Sequence, residues 1–288
     1  MISGTMRWVA GLVWIVAFAM PGMGGAAPAA QDFWVADPIT GCKLWTRQAP
    51  TDDEIASWSG ACDRGKAIGP GVLSWFEDGH LLGRFQGRMV AGKAIGHGVL
   101  HYRTEAGYDR YEGEFVAGRL NGVVELKRAN GDHFHGHFSN GAINGYGSYV
   151  AANGDRYDGE FKADKPDGEG YGVSADGEHY KGGYRAGERH GNGVLIHANG
   201  DRYLGAFDDG MANGQGRYEA TDGGIYEGSF KDGKPNGPGR YVAANGDVYE
   251  GTFAAGMPDG VIRFTPASGD EVGQLWRDGR QVVKGDGK

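Results

Sequence analysis

A glycine that returns every 23 residues is the feature that most constrains what this chain can become. It closes an aromatic-x-Gly motif at Gly113, Gly136, Gly159, Gly182, Gly205, Gly228 and Gly251. Two earlier copies, Trp58-Ser59-Gly60 and Phe85-Gln86-Gly87, are spaced more widely, and Gly273 in Glu271-Val272-Gly273 reads as a decayed last copy. A fixed period of this length means one supersecondary unit repeated along the chain, each copy burying its apolar face against the next. Glycine supplies 56 of the 288 residues, far above the usual level of about 7 %. Disorder would bring few aromatic residues, yet they make up 11 % here. A collagen would need glycine at every third position.

Within one unit the order is Tyr226-Glu227-Gly228-Ser229-Phe230, Gly233, Asn236-Gly237-Pro238-Gly239-Arg240-Tyr241, Asn245-Gly246-Asp247. Aromatic, glycine and aromatic alternate at period two, so each such run is a strand with one distinctive face. Two strands make a unit, with a turn expected at Gly233 to Asn236 and a second at Asn245-Gly246. A two-residue second turn would put Tyr241 on the face opposite Tyr249 and Phe253. A three-residue loop with Gly246 left-handed in a bulge keeps Tyr241, Tyr249, Gly251 and Phe253 together, and is the expected geometry. An aromatic ring can lie over the bare backbone of a strand glycine and restore its lost burial. The glycines are therefore expected to be the floor beneath the rings, and the opposite face, with Arg156, Asp158, Glu160 and Lys162, to be solvated.

The unit resembles the MORN (membrane occupation and recognition nexus) repeat. Tyr180-Lys181-Gly182, Gly187 and His190-Gly191-Asn192-Gly193 carry the resemblance most fully. It implies an all-β fold: an elongated single-layer antiparallel β-meander of about nine tandem hairpins over residues 58–276. Residues 30–57 would form an N-terminal cap segment and 277–288 a tail. MORN repeats serve mainly as association modules, so the resemblance implies a non-enzymatic protein.

The first residues read as an address. Arg7 precedes an apolar stretch from Trp8 to Met20, and Ala27-Pro28-Ala29 offers small residues for cleavage. Residues 1–29 are thus expected to be a signal peptide that delivers the chain to the periplasm or the extracellular space. A membrane span needs roughly 20 apolar residues, and this stretch is broken by Pro21 and Gly22. The net charge of −8 weighs against nucleic acid and anionic lipid, both of which call for clustered Lys and Arg. The two cysteines, Cys42 and Cys62, are expected to pair as a disulfide in an oxidising compartment, pinning the cap to the first hairpin.

Candidate chemistry is sparse. His133, His135 and His137 share one strand face, but such neighbours diverge by about 7 Å, too wide for one small ion. Each Asn-Gly-Asp turn, at Asp132, Asp155, Asp201 and Asp247, supplies a single carboxylate, whereas calcium needs six to eight oxygens; the ordinary role of these groups is to cap turn backbone. No nucleophile has a partnered base, and no catalytic residue, metal or cofactor is assigned. The expected function is a protein-binding or scaffolding surface of the cell envelope, engaging a protein partner or itself. Alternatives are a glycan- or peptidoglycan-binding module and a membrane-associated one. The candidate binding row is the aromatic face: Tyr157, Phe161, Tyr180, Tyr184, Tyr203, Phe207, Tyr226 and Phe230.

Overall fold

The period-two alternation becomes strand throughout. The computed structural model describes residues 32–46, 49–269 and 272–282, and among them are 23 strands and no helix. The expected signal peptide and the last six residues lie outside the described residues. The chain divides into two compact units, one built from residues 32–154 and 160–165, the other from 155–159 and 166–282.

In the N-terminal unit a short hairpin, Phe33–Ala36 with Lys43–Thr46, precedes the meander. The strand Lys66–Glu77 then pairs along its second half with Glu54–Trp58 and along its first half with Ala61–Asp63. His80–Val90, Lys93–Thr104, Gly107–Val116, Arg119–Lys127, His133–Ser139 and Ala142–Val150 follow, each antiparallel to the one before. The C-terminal unit runs the same way from Lys165–Val173 to Arg280–Gln281. The expected all-β meander of tandem hairpins is what forms.

The turn inside a unit is tighter than the sequence indicates. Lys231 pairs with Lys234, so Asp232 and Gly233 alone make the turn, both left-handed at φ 50° and 75°. This is the two-residue geometry whose twist matches that of the flanking strands. Asn236, expected in the turn, lies within the following strand, where the register shifts between Gly228 and Phe230. The bulge is made by Gly237 at φ 102°.

The turn between units is the expected three-residue loop. Gly246 N donates to Ala243 O, Ala243 N donates to Asp247 O, and Gly246 is left-handed at φ 92°. Tyr241 consequently faces Tyr249, and the rings share one side of the sheet.

Neighbouring hairpins are stitched at both strand ends. At the two-residue turns, the backbone N–H of Gly187, Gly210, Gly233 and Gly256 donates to Pro166, Arg189, Ala212 and Pro235 O of the preceding hairpin. At the other end, Asp132, Asp155, Asp201 and Asp247 of the loops, and Asp109 near the start of its strand, each accept the N–H of Ala152, Ala175, Thr221, Ala267 and Ala129 in the next loop, at 2.7–3.0 Å. These carboxylates do cap turn backbone, but the turn of the following unit.

Candidate functional site

The aromatic row is built by the glycines. The ring of Tyr203 lies over Gly205 of its own strand and Gly216 of the next. A Cβ added at Gly216 would sit 2.5 Å from Tyr203 Cε2 and Oη, and one at Gly205 would sit 2.5 Å from Oη. Tyr157, Tyr180 and Tyr226 cover Gly159 and Gly170, Gly182 and Gly193, Gly228 and Gly239 in the same way. The hydroxyls reach past the glycine to a carbonyl three residues on: Tyr180 to Gly183, Tyr203 to Ala206 and Tyr226 to Ser229, at 3.0–3.2 Å. Desolvation pushes the phenols of Tyr203 and Tyr226 up to about 12.

The second aromatic of each strand closes the row edge-to-face. Tyr180 meets Phe207 at 5.0 Å, Phe207 meets Tyr203 at 5.1 Å, Tyr203 meets Phe230 at 4.8 Å and Phe230 meets Tyr226 at 5.2 Å, with planes 77–90° apart. Such pairs contribute about 0.5–1.5 kcal/mol each beyond area burial. All eight candidate binding residues, Tyr157, Phe161, Tyr180, Tyr184, Tyr203, Phe207, Tyr226 and Phe230, are at most 4 % exposed. This corrects the expectation of a binding face: the row is the core of the sheet, because rings that cover glycine and one another have no face left to offer.

What remains open is the opposite side. Across five strands of the C-terminal unit, Arg217, Glu227, Arg240, Glu250 and Arg263 stand directly opposite one another in register. Their charges alternate strand by strand. Arg217 pairs with Glu227 and with Glu219, and Arg240 Nε lies 3.0 Å from Glu250. Apolar side chains also stand on the surface, Leu204 and Tyr171 among them. On the corresponding side of the N-terminal unit lie the exposed His133, His135 and His137; among the described residues no group of three or more ligating side chains is placed to hold a metal ion.

One buried polar cluster interrupts the regular pattern of the units. Glu178 holds Arg189 at 2.7 Å and His197 Nδ1 at 3.0 Å, while Arg189 Nε donates to Gly210 O. The guanidinium stacks on Tyr180 and Phe207, 5.6 and 5.7 Å from the ring centres. The signal was available: the position of Arg189 is Leu120, Ile143, Pro166, Ala212, Pro235 and Pro258 in other units. Glu178 and Arg189 satisfy each other, which is how a buried charge is normally tolerated, while His197 Nε2 is buried with no hydrogen-bond partner among the described residues.

The MORN repeat family matches residues 111–133, 134–156, 157–178, 180–202, 203–225, 226–248 and 249–261, together just over half of the chain. The chain belongs to the MORN-repeat family. Antiparallel strands continue upstream of the matched MORN units to Glu54, and those between Lys66 and Val116 are longer, at 10–12 residues. Comparison with curated proteins gives no match. Among solved structures the chain is similar to the TCP domain of SAS-4 (dCPAP) of Drosophila melanogaster, in complex with a proline rich motif of Ana2. Identity is 13 %, with 55 % of this chain and 85 % of that chain covered, at a TM-score of 0.34. MORN repeats are non-catalytic modules that generally bind protein or membrane.

At the N-terminus, Cys42 is bonded to Cys62, joining the short hairpin to the strand Ala61–Asp63.

Proposed function

We propose that this MORN protein is an exported, non-enzymatic scaffold of the cell envelope that binds a protein partner through the solvent side of its sheet. The observation that carries this reading is the division of labour between the two faces. Every ring of the regular row is spent on packing, whereas the other side presents charges of both signs in fixed register. Protein partners are read by such complementary charge patterns. A glycan module would instead need rings free to stack on sugars, and none of the eight is. The net charge of −8 gives no attraction to anionic lipid. The signal-like first 29 residues and the disulfide, a bond that persists in oxidising compartments, support export.

The test is affinity capture from envelope fractions, comparing the wild type with a variant carrying Arg217→Glu and Arg240→Glu. Capture should fall while the melting temperature stays within a few degrees, since exposed pairs contribute about 0–1 kcal/mol. Undiminished capture by that variant would remove the solvent side from consideration. Recovery of the protein only from the cytoplasm, with both thiols free, would end the export reading.

A further inference from the structure

The first turns of the meander differ from the later ones in what lies on them. At Arg64-Gly65, Ala91-Gly92 and Ala117-Gly118 the residue after the glycine is a cation: Lys66, Lys93 or Arg119. Across these turns lies the N-terminal hairpin. Lys43 N donates to Gly65 O at 2.9 Å and Trp45 N to Gly92 O at 2.8 Å. Trp34 lies against Gly92 and Trp45 against Gly118, so closely that an added Cβ would stand 2.7 and 2.6 Å from the indoles. Lys66 Nζ is 4.5 Å from the Trp34 ring centre; Lys93 Nζ and the Arg119 guanidinium are 5.5 and 5.8 Å from that of Trp45. Asp32 accepts from Lys93 Nζ at 2.7 Å and from Trp45 Nε1 at 2.8 Å.

These are the parts of a peptide-recognition site. Turn carbonyls grip an extended backbone whatever its sequence, glycine floors seat indoles, and the cations add attraction to ring and carboxylate alike. Three cations gather around the hairpin's two indoles and the one carboxylate of Asp32, leaving surplus positive charge for an acidic segment. The occupant is fastened at its closed end. Cys42 is bonded to Cys62, and the buried Asp37 accepts the N–H of Trp58 at 2.9 Å. The bond adds a second link to the short run of chain between Thr46 and Glu54, and a doubly tethered hairpin has a higher effective concentration than one held by the chain alone, so a free segment competes least while the bond holds.

We propose that this turn edge is a docking site for an extended, acidic, tryptophan-bearing protein segment, occupied here in cis by the chain's own hairpin and latched by the Cys42–Cys62 bond. The proposal rests on the reading of the chain as a protein-binding scaffold and names a second surface for it.

The experiment uses the full chain with Cys42→Ser and Cys62→Ser, and a synthetic peptide of residues 32–46 bearing Ser for Cys42, followed by calorimetry. The opened protein should bind the peptide one to one, and the disulfide-bonded protein about tenfold more weakly or not at all. Lys93→Ala in the opened protein, or Ala for Trp45 in the peptide, should each weaken binding several-fold. If the double variant loses its β-signal in circular dichroism, wild-type protein reduced with an external dithiol takes its place. Equal affinity with and without the latch, no binding to the opened protein, or indifference to Lys93→Ala overturns the proposal. A dimer of the opened protein that excludes the peptide overturns the choice of a foreign strand and gives the site to a second copy. Failure here with charge-dependent capture by the solvent side intact would leave the scaffold reading standing.

Discussion

The units at Tyr203 and at Tyr111 share a motif but not an arrangement. Around Tyr203, Gly205 faces Gly216 and the tyrosine lies over both. Around Tyr111, Gly113 faces Val124, whose Cγ2 takes the space above the glycine, 2.8 Å from where a Cβ would be. Tyr111 then directs its hydroxyl to Asp109 at 3.4 Å. The unit at Tyr249 repeats the exception. Ile262 Cδ1 covers Gly251, and Tyr249 packs on Phe264 instead, with ring centres 4.9 Å apart. The glycine of the aromatic-x-Gly motif is thus required in both versions, because something always lies on it. Whether that is a ring or an aliphatic side chain is decided by the residue opposite it on the next strand.

The comparison breaks most readily through the ring. Tyr203→Ala should cost about 3–5 kcal/mol, as other large buried rings do, and denaturant unfolding followed by circular dichroism reads it. A much smaller cost would mean that Tyr203 is not part of a packed core. Next comes the floor. Gly216→Ala forces a methyl into the Tyr203 ring and should cost about 1–3 kcal/mol. Gly273→Ala, where an added Cβ meets nothing within 4 Å, should change stability by no more than about 0.5 kcal/mol. Similar losses at the two sites would show that generic glycine effects, not ring seats, are being measured. Tyr203→Phe keeps the ring and loses only the bond to Ala206 O, a difference of about 0.5–1.5 kcal/mol.

The smallest effect lies at the loop edge. A hydrogen bond from Tyr218 Oη, then one from Thr221 N, holds the Asp201 carboxyl down at about 2. A carboxyl depressed in the folded state stabilises above its unfolded pKa of about 4, and that contribution is lost as pH falls toward the folded value. Melting temperature should therefore decline between about pH 4 and pH 2. The decline should be shallower in Asp201→Asn; an identical acid profile for the two proteins would remove this carboxylate from the stitching of the loops.

Much of this was legible in the residues. The period gave the unit, the alternation of Tyr226, Gly228 and Phe230 gave the face, and the parity of Tyr241 against Tyr249 selected the three-residue loop. Three things were not legible. Alternation says which residues share a face but not whether that face is covered, so buried rings looked like candidate ligand platforms. The turn at Asp232-Gly233 is shorter than the residue spacing suggests because the Gly237 bulge absorbs two residues that a plain ladder would leave in the turn. The seating of Trp34 and Trp45 on Gly92 and Gly118 joins segments far apart in sequence, which no local pattern encodes.

The central claim is that tyrosines lie flat on paired glycines in the regular units and not in the exceptional ones. Proton NMR of the glycine Hα resonances tests it most directly, since a ring stacked on a glycine shields its α protons. Gly193, Gly216 and Gly239 should resonate upfield, each returning toward ordinary values when Tyr180, Tyr203 or Tyr226 is replaced by Leu, while Gly113 and Gly251 should not respond to Tyr111→Leu or Tyr249→Leu. Ordinary shifts at Gly193, Gly216 and Gly239, or equal tyrosine dependence at Gly113 and Gly251, would contradict the account.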